Sequence, residues 1–120
     1  VLADATTLLD YMLNRMVNIL NRLQVFPETM LANMGRTYGL IYSQRLLLKL
    51  VDHGLSRELA YDTVQPLTAR AWDEQLQFRD LVEASDKITD ILSENEIADA
   101  FDYNWHLKHV DDIFKRVGLL

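Results

Sequence analysis

The most regular hydrophobic pattern lies at the start of the chain, between about Ala3 and Gln24. Apolar residues recur there at alternating intervals of three and four, at Leu9, Met12, Met16, Ile19 and Leu23. This spacing is typical of a helix that packs lengthwise against a partner helix. A second apolar row runs beside the first, at Leu13, Val17 and Leu20. A helix that is apolar on more than one side must be surrounded. The pattern therefore predicts a helix roughly 33 Å long whose partners lie partly outside this chain.

Chain breakers divide the following stretch into shorter predicted helices. Proline suits a first helical turn, so Pro27 is predicted to begin a short helix that ends at about Met34. A longer helix is predicted from about Leu40 to His53, closed by Gly54 in the left-handed conformation that often follows a helix. Ser56 then stands where the N-cap of the next helix belongs.

The second half of the chain continues the helical pattern. Pro66 lies inside it and removes a backbone donor, which predicts a kink or a short interruption. A helix is predicted from Phe78 to Leu92. Ser93 and Glu96 then have the spacing of a capping box, a specific helix start. The last helix is predicted from about Tyr103 to Val117.

Composition supports an all-α fold. The 120 residues include only four glycines and two prolines, too few for many short strands joined by turns. A content of 49% hydrophobic and 25% charged residues is that of an ordinary globular chain. No stretch shows convincing strand alternation.

Charge and residue content exclude several classes of function. The net charge is −6 and the twelve Lys and Arg residues are scattered, so we expect no nucleic-acid partner. The absence of cysteine removes disulfides, thiolate metal sites and a cysteine nucleophile, and it is compatible with the cytoplasm. No apolar run approaches the roughly 20 residues that cross a bilayer. We expect Val1, in a stretch that is already helical, to be a cut end.

Three histidines are candidates for chemistry. His106 and His109 have a spacing that can place two imidazoles on one metal, with a third ligand from Asp102, Asp112 or elsewhere. The alternative is a histidine at the border of the apolar stripe beside a solvated one, which we favour because too few ligands converge. His53 precedes a helix-ending glycine, where a cation at the helix C-terminus is a better interpretation than a catalytic base.

Other polar groups and aromatic residues leave two interpretations open. Paired carboxylates can do acid–base chemistry, but a solvated face is the better interpretation of Glu83, Asp86, Asp90, Glu94, Glu96, Asp99 and Asp102. Core packing is favoured over a ligand-binding box for Trp72 and Trp105. A ligand cleft or simple surface exposure explains equally well the polar cluster of Ser43, Gln44 and Arg45. No phosphate-binding loop, nucleophile elbow or HExxH motif is present, so we assign no catalytic, cofactor-binding or metal-binding residue and no cofactor.

Several strings, in order along the chain, resemble the C-terminal domain of bacterial adenylosuccinate lyases. The longest is SQRLLLKLVDHGLSRELAYDTVQ, from Ser43 to Gln65. The others are DATTLLDYMLNRMVNIL (Asp4–Leu20), FPETM (Phe26–Met30), GLIYSQR (Gly39–Arg45), AW (Ala71–Trp72), FRDLVE (Phe78–Glu83) and FDYNWHLKHVD (Phe101–Asp111). The resemblance covers essentially the whole chain, and it is more specific than a single motif.

The resemblance implies a cytoplasmic, homotetrameric enzyme of the fumarase and aspartase superfamily. Such enzymes cleave adenylosuccinate to AMP and fumarate, and the analogous carboxamide ribotide, by β-elimination in purine biosynthesis. In the family a loop serine removes the proton and a histidine protonates the departing nitrogen. No position of this chain matches those motifs, so the chain alone is expected to be inactive, with its upstream domains and other subunits as partners.

The resemblance also implies a division of the chain. Residues 1–24 resemble the C-terminal end of a long helix of the central bundle, and residues 25–120 resemble the compact C-terminal helical domain. Two alternatives remain open: a free-standing helical module that binds a protein partner, and a different lyase of the same superfamily, such as an argininosuccinate-cleaving enzyme. If any residue here lines the substrate cleft, Ser43 and Gln44 are the first candidates.

Overall fold

The computed structural model describes residues 1–120 and contains helices but no strand, which confirms the predicted all-α class. The α-helices are α1 (Leu2–Asn21), α2 (Pro27–Gly35), α3 (Ser43–Asp52), α4 (Arg57–Asp73), α5 (Phe78–Glu83), α6 (Asp86–Thr89), α7 (Glu94–Ala100) and α8 (Val110–Arg116). Two 3₁₀ helices lie at Leu40–Tyr42 and Tyr103–Leu107. None of these helices combines the length and the apolar character that crossing a bilayer requires.

The chain forms two compact units, Val1–Leu31 and Ala32–Leu120. The first unit contains α1, a helix of 20 residues and thus about 30 Å long, in which no residue is buried. This helix ends at Asn21, whereas the predicted end was Gln24, so the predicted helix was three residues too long at its C-terminus. The division into residues 1–24 and 25–120 refers to an assembled enzyme and stays a prediction.

The second unit has its own hydrophobic core. Helix α3 contributes Leu46 and Leu50, one helical turn apart and both fully buried. The remaining core residues come from α4 to α7 and the segments that join them; they are Ala60, Val64, Ala71, Phe78, Leu81, Val82, Ile88, Leu92, Ile97 and Ala100. Since these side chains form one contiguous cluster, the unit carries the burial that a folded domain needs.

The predicted caps between α3 and α4 are confirmed. Gly54 has a φ of +98°, and the Leu55 amide donates to the Leu50 carbonyl over 3.2 Å, the hydrogen bond of a helix-ending loop. Ser56 caps α4 by accepting a hydrogen bond from the Leu59 amide at 3.2 Å. The two caps form within four residues of one another, so α4 begins at a defined point beside α3.

Pro66 does not interrupt its helix, so the predicted interruption is wrong, and the kink offered as its alternative stays a prediction. Helix α4 continues from Arg57 to Asp73 with Pro66 inside it. Buried residues lie on both sides of the proline, at Val64 and Ala71. Packing of both halves against the same core therefore outweighs the loss of one backbone donor.

Two predicted long helices are broken in the structure. The stretch from Phe78 to Leu92 forms α5 and α6, separated by an extended Ser85. A straight helix over this stretch would be roughly 22 Å long, whereas the break lets both halves reach one core. The stretch from Tyr103 to Val117 forms a 3₁₀ helix followed by α8. No residue of either element is buried, so no core contact holds this stretch in one continuous helix.

Candidate functional site

A cleft between α3 and α4 contains the two residues that the sequence suggested for a ligand site. Its volume is about 370 Å³, within the range of small-molecule sites. Ser43 and Gln44 line it at the start of α3. The other lining residues are Leu47, Leu48, Arg57, Tyr61, Val64, Gln65 and Thr68. We call this feature the α3–α4 cleft.

The α3–α4 cleft has an apolar floor and a polar rim. Val64 is buried and Leu47 is half-buried, so aliphatic side chains form the floor. Although the chain has a net charge of −6, no carboxylate lines the cleft, and its one charged group is Arg57. Arg57 forms no ion pair within the chain. The cleft thus offers a cation, hydroxyl groups and amides to a ligand, but no nucleophile beside a base.

Arg45, the third member of the predicted polar cluster, does not line this cleft. It is buried, with 6% of its surface exposed, and its Nη2 lies 2.7 Å from Oδ2 of Asp99 on α7. Its Nη1 donates to the Asp102 carbonyl over 2.8 Å. The Lys49 ammonium, 2.7 Å from the same Oδ2, and then the Arg45 guanidinium hold the pKa of the Asp99 carboxyl below its usual value. Arg45 therefore joins α3 to α7 and is not available to a ligand.

The histidines do not form a shared site. His106 lies in the 3₁₀ helix and His109 is the N-cap residue of α8, so the predicted placement of both on one helix is wrong. His106 contacts the Trp105 ring edge-on, with 5.1 Å between ring centroids. The Nδ1 atom of His109 lies 3.5 Å from Oδ2 of Asp112, at the outer limit of a hydrogen bond. The structure brings no third ligand to the pair.

His53 has a partner that helix position alone did not reveal. It is the C-cap residue of α3, as its place before Gly54 suggested. Its Nε2 also lies 2.8 Å from Oε1 of Glu96 on α7. The sequence predicted Glu96 as a member of the capping box with Ser93, which is confirmed, and as part of a solvated face. The contact between His53 and Glu96 joins residues 43 positions apart, and no local pattern could have indicated it.

The seven carboxylates from Glu83 to Asp102, for which the sequence favoured a solvated face, lie at or near the surface. Six of the seven are exposed and Glu96 is half-buried. Glu83 pairs with Arg79 one helical turn away, at 2.7 Å. A second hollow of about 610 Å³ lies beside this pair, where Ser93 and Glu94 also contribute to the wall. Glu96 and Asp99 are each engaged by hydrogen-bond donors, at Ser93 and at Lys49, so both accept structural bonds within the domain.

An exposed apolar surface of the first unit lies on α1 and the residues directly after it. Its two predicted apolar rows are both exposed, with 54 to 64% of each side chain accessible, at Leu9, Met12, Leu13, Met16, Val17, Ile19, Leu20 and Leu23. We call these eight residues the α1 surface. A soluble domain rarely exposes a contiguous apolar patch of this kind unless the patch is an interface. The α1 surface is therefore a candidate docking surface for a protein partner.

Together these features define an all-α domain that offers an exposed apolar helix surface and a polar-rimmed cleft for binding. Residues 39–117 match the family model described as "Adenylosuccinate lyase C-terminus". The chain belongs to this family, which confirms the resemblance seen in the sequence.

Three named relatives extend the match to nearly the whole chain. An adenylosuccinate lyase of Bacillus subtilis is 63% identical over 99% of this chain. Those of Streptococcus mutans and Staphylococcus saprophyticus are 53% and 50% identical, over 97% and 98% of it. The chain spans only 27 to 28% of the length of these relatives.

Proposed function

We propose that this chain is the C-terminal part of an adenylosuccinate lyase. The whole enzyme would cleave adenylosuccinate to AMP and fumarate, and the analogous carboxamide ribotide to its product and fumarate, in purine biosynthesis. The observation that carries the proposal is 63% identity to a protein of that name along 99% of this chain. The proposed location, the cytoplasm, follows from the family resemblance.

The proposed reaction needs groups that this chain does not bring together. In a β-elimination a base removes the proton next to a carboxylate, the carbon–nitrogen bond breaks, and an acid protonates the departing nitrogen. Both groups must lie within hydrogen-bond distance of the substrate. In this chain His53 is engaged by Glu96, exposed His109 lies 3.5 Å from Asp112, and exposed His106 packs edge-on against the Trp105 ring. We therefore assign the acid and the base to other parts of the enzyme and expect the isolated chain to be inactive.

The α1 surface is assigned to the assembly of the enzyme. Residues 1–24 would form the end of a helix in a central bundle, and residues 25–120 the compact C-terminal domain. Enclosure by bundle helices would bury apolar rows that are more than half exposed on the chain alone. The partners are the upstream domains of the same protein and the other subunits of a homotetramer.

The α3–α4 cleft is the part of this chain that we propose to face the nucleotide substrate. The substrate carries a phosphate and two succinyl carboxylates, so an unpaired Arg57 in a cleft without carboxylates has the complementary charge. Ser43 and Gln44 would supply neutral hydrogen bonds. These contacts would contribute to substrate binding and not to the chemical step.

The test is an elimination assay on the longer protein that carries this chain and on the chain alone. We expect the longer protein to release fumarate from adenylosuccinate and the isolated chain to release none. Release of fumarate from argininosuccinate instead would favour another lyase of the superfamily. A longer protein that binds a protein partner and cleaves neither substrate would favour the interaction module.

A further inference from the structure

Arg45 is the one buried charged residue of the chain. Its polar and aromatic contacts all lie between residues 99 and 105. Its guanidinium bonds to Asp99 on α7 and to the Asp102 carbonyl, at 2.7 and 2.8 Å. Its Cζ atom also lies 4.5 Å from the centre of the Trp105 ring, within the range of a cation–π contact. Arg45 therefore touches the end of α7 and the segment that follows it.

Hydrophobic packing of the domain ends just before that segment. Phe101 is the last apolar residue that packs on the core. Its ring centroid lies 5.7 Å from that of Phe78 and 5.4 Å from that of Tyr42. From residue 102 onward every residue is exposed except Val110, which is half-buried. We call residues 102–120 the C-terminal arm.

The C-terminal arm contains hydrogen bonds of its own but has few hydrogen bonds to the rest of the domain. Asp102 accepts a hydrogen bond from the Asn104 amide at 2.9 Å, and α8 is capped by the bond from the Leu119 amide to the Phe114 carbonyl. A turn joins the arm to α7, through the bond from the Asp102 amide to the Asp99 carbonyl. Apart from this turn, the arm receives one hydrogen bond from the rest of the domain, from Arg45 to the Asp102 carbonyl. The other cation on the Trp105 ring, Lys108 at 4.1 Å, belongs to the arm itself.

We propose that the C-terminal arm is a detachable element that Arg45 latches to the domain, and that it undocks as a unit while the core stays folded. The latch consists of one charge-assisted hydrogen bond and one cation–π contact. Contacts of these kinds each change an equilibrium by roughly three- to thirtyfold, far less than the burial that holds the core. Five apolar residues of α8 and of the segment after it do not pack on the core, and 42 to 70% of each is accessible: Ile113, Phe114, Val117, Leu119 and Leu120.

Because Asp99 has a second cationic partner, the contacts of Arg45 to the arm can be deleted while the Asp99 carboxylate stays paired. Asp99 also bonds to Lys49, at 2.7 Å, so removal of Arg45 does not leave its carboxylate without a cation. The substitution Arg45→Met keeps an unbranched apolar stem in the buried position and deletes both contacts to the arm. A variant that loses the arm but keeps the core is therefore attainable.

The test is hydrogen exchange followed by mass spectrometry on the full 120-residue chain. In Arg45→Met we expect peptides from residues 103–109 to exchange on the order of tenfold faster, which is the effect of losing one such contact. Peptides from α4 to α6, where Arg45 has no hydrogen-bond partner, should keep the wild-type rate. The matched control is Arg70→Met, which deletes an exposed ion pair between α4 and its C-cap residue Glu74 and should leave the arm unchanged.

A second variant covers the case in which Arg45→Met does not fold. Trp105→Ala removes the ring that Arg45 contacts, and Trp105 is 42% exposed, so the core should tolerate the change. The arm should again exchange faster while the core peptides stay protected. Equal arm exchange in wild type and Trp105→Ala would overturn the proposal. Equal acceleration of arm and core peptides in either variant would also overturn it, because the arm would then not be a separate unit.

Discussion

The Nε2 atom of His53 lies 2.8 Å from Oε1 of Glu96, so the end of α3 is joined to the first turn of α7. The second carboxylate oxygen of Glu96 accepts hydrogen bonds from the Ser93 hydroxyl at 2.7 Å and from the Ser93 amide at 2.9 Å. One carboxylate thus completes a local cap and a contact between helices that are distant in sequence.

This arrangement predicts a loss of stability in acid. The Ser93 hydroxyl and amide, followed by His53, lower the pKa of Glu96 from 4.5 to about 2. Because the folded pKa is depressed, the carboxylate stabilises the fold fully above pH 4.5, and this contribution disappears as the pH falls from 4.5 to about 2. In Glu96→Gln this part of the pH dependence should be absent. Urea unfolding between pH 2 and 6 measures the effect.

The control for this experiment lies in the same helical turn. Glu94→Gln removes a carboxylate that has neither the Ser93 nor the His53 bond, and it should keep the wild-type pH dependence. A parallel loss of pH dependence in Glu94→Gln and Glu96→Gln would show that general helix charge, not the bonded network, is responsible.

Two serines at helix starts predict different effects of the same substitution. Ser56 accepts a hydrogen bond from the Leu59 amide at 3.2 Å, whereas Ser85, at the N-cap of α6, makes no side-chain cap. Ser56→Ala should lower the free energy of unfolding by about 1 kcal/mol. Ser85→Ala should lower the free energy of unfolding by at most a few tenths of a kcal/mol. Chemical denaturation at neutral pH compares them, and equal losses would contradict the capping role of Ser56.

The α1 surface predicts association that depends on one side of the helix. Met16 belongs to the apolar seam and is 54% exposed, and a glutamate there would bury a charge in any interface. Met16→Glu should weaken self-association of the chain, or its binding to the upstream domains, by tenfold or more. Asn18→Glu adds the same charge about 200° around the helix and should have little effect. Sedimentation over a range of concentrations distinguishes them.

The α3–α4 cleft predicts a binding defect in the longer enzyme. Replacing Ser43 and Gln44 with alanine deletes two neutral hydrogen-bonding groups, each worth about 0.5–1.5 kcal/mol. We expect KM for adenylosuccinate to rise several-fold with kcat unchanged, since these contacts are not specific to the transition state. The matched control removes a serine and an amide elsewhere, with Ser85→Ala and Asn95→Ala. Unchanged kinetics in the cleft variant would remove the cleft from the substrate site.

Features that depend on neighbouring residues in the chain were predictable from the sequence. The capping box of Ser93 and Glu96, the helix stop at Gly54 and the N-cap at Ser56 each involve residues within five positions of one another. Such features form wherever the backbone turns in the required way, so sequence spacing predicts them. The exposed seam of α1 was predictable for the same reason, because helical periodicity alone places its apolar residues.

Features that depend on distant contacts were decided only by the tertiary structure. Ser43, Gln44 and Arg45 are adjacent in sequence, yet Ser43 and Gln44 line the α3–α4 cleft while Arg45 is buried against Asp99. The unbroken helix through Pro66 depends likewise on the core it packs against. The sequence by itself determined the all-α class, the caps and the apolar rows, since these follow from local backbone geometry. Packing decided the rest, because burial and charge pairing depend on which helices meet in space.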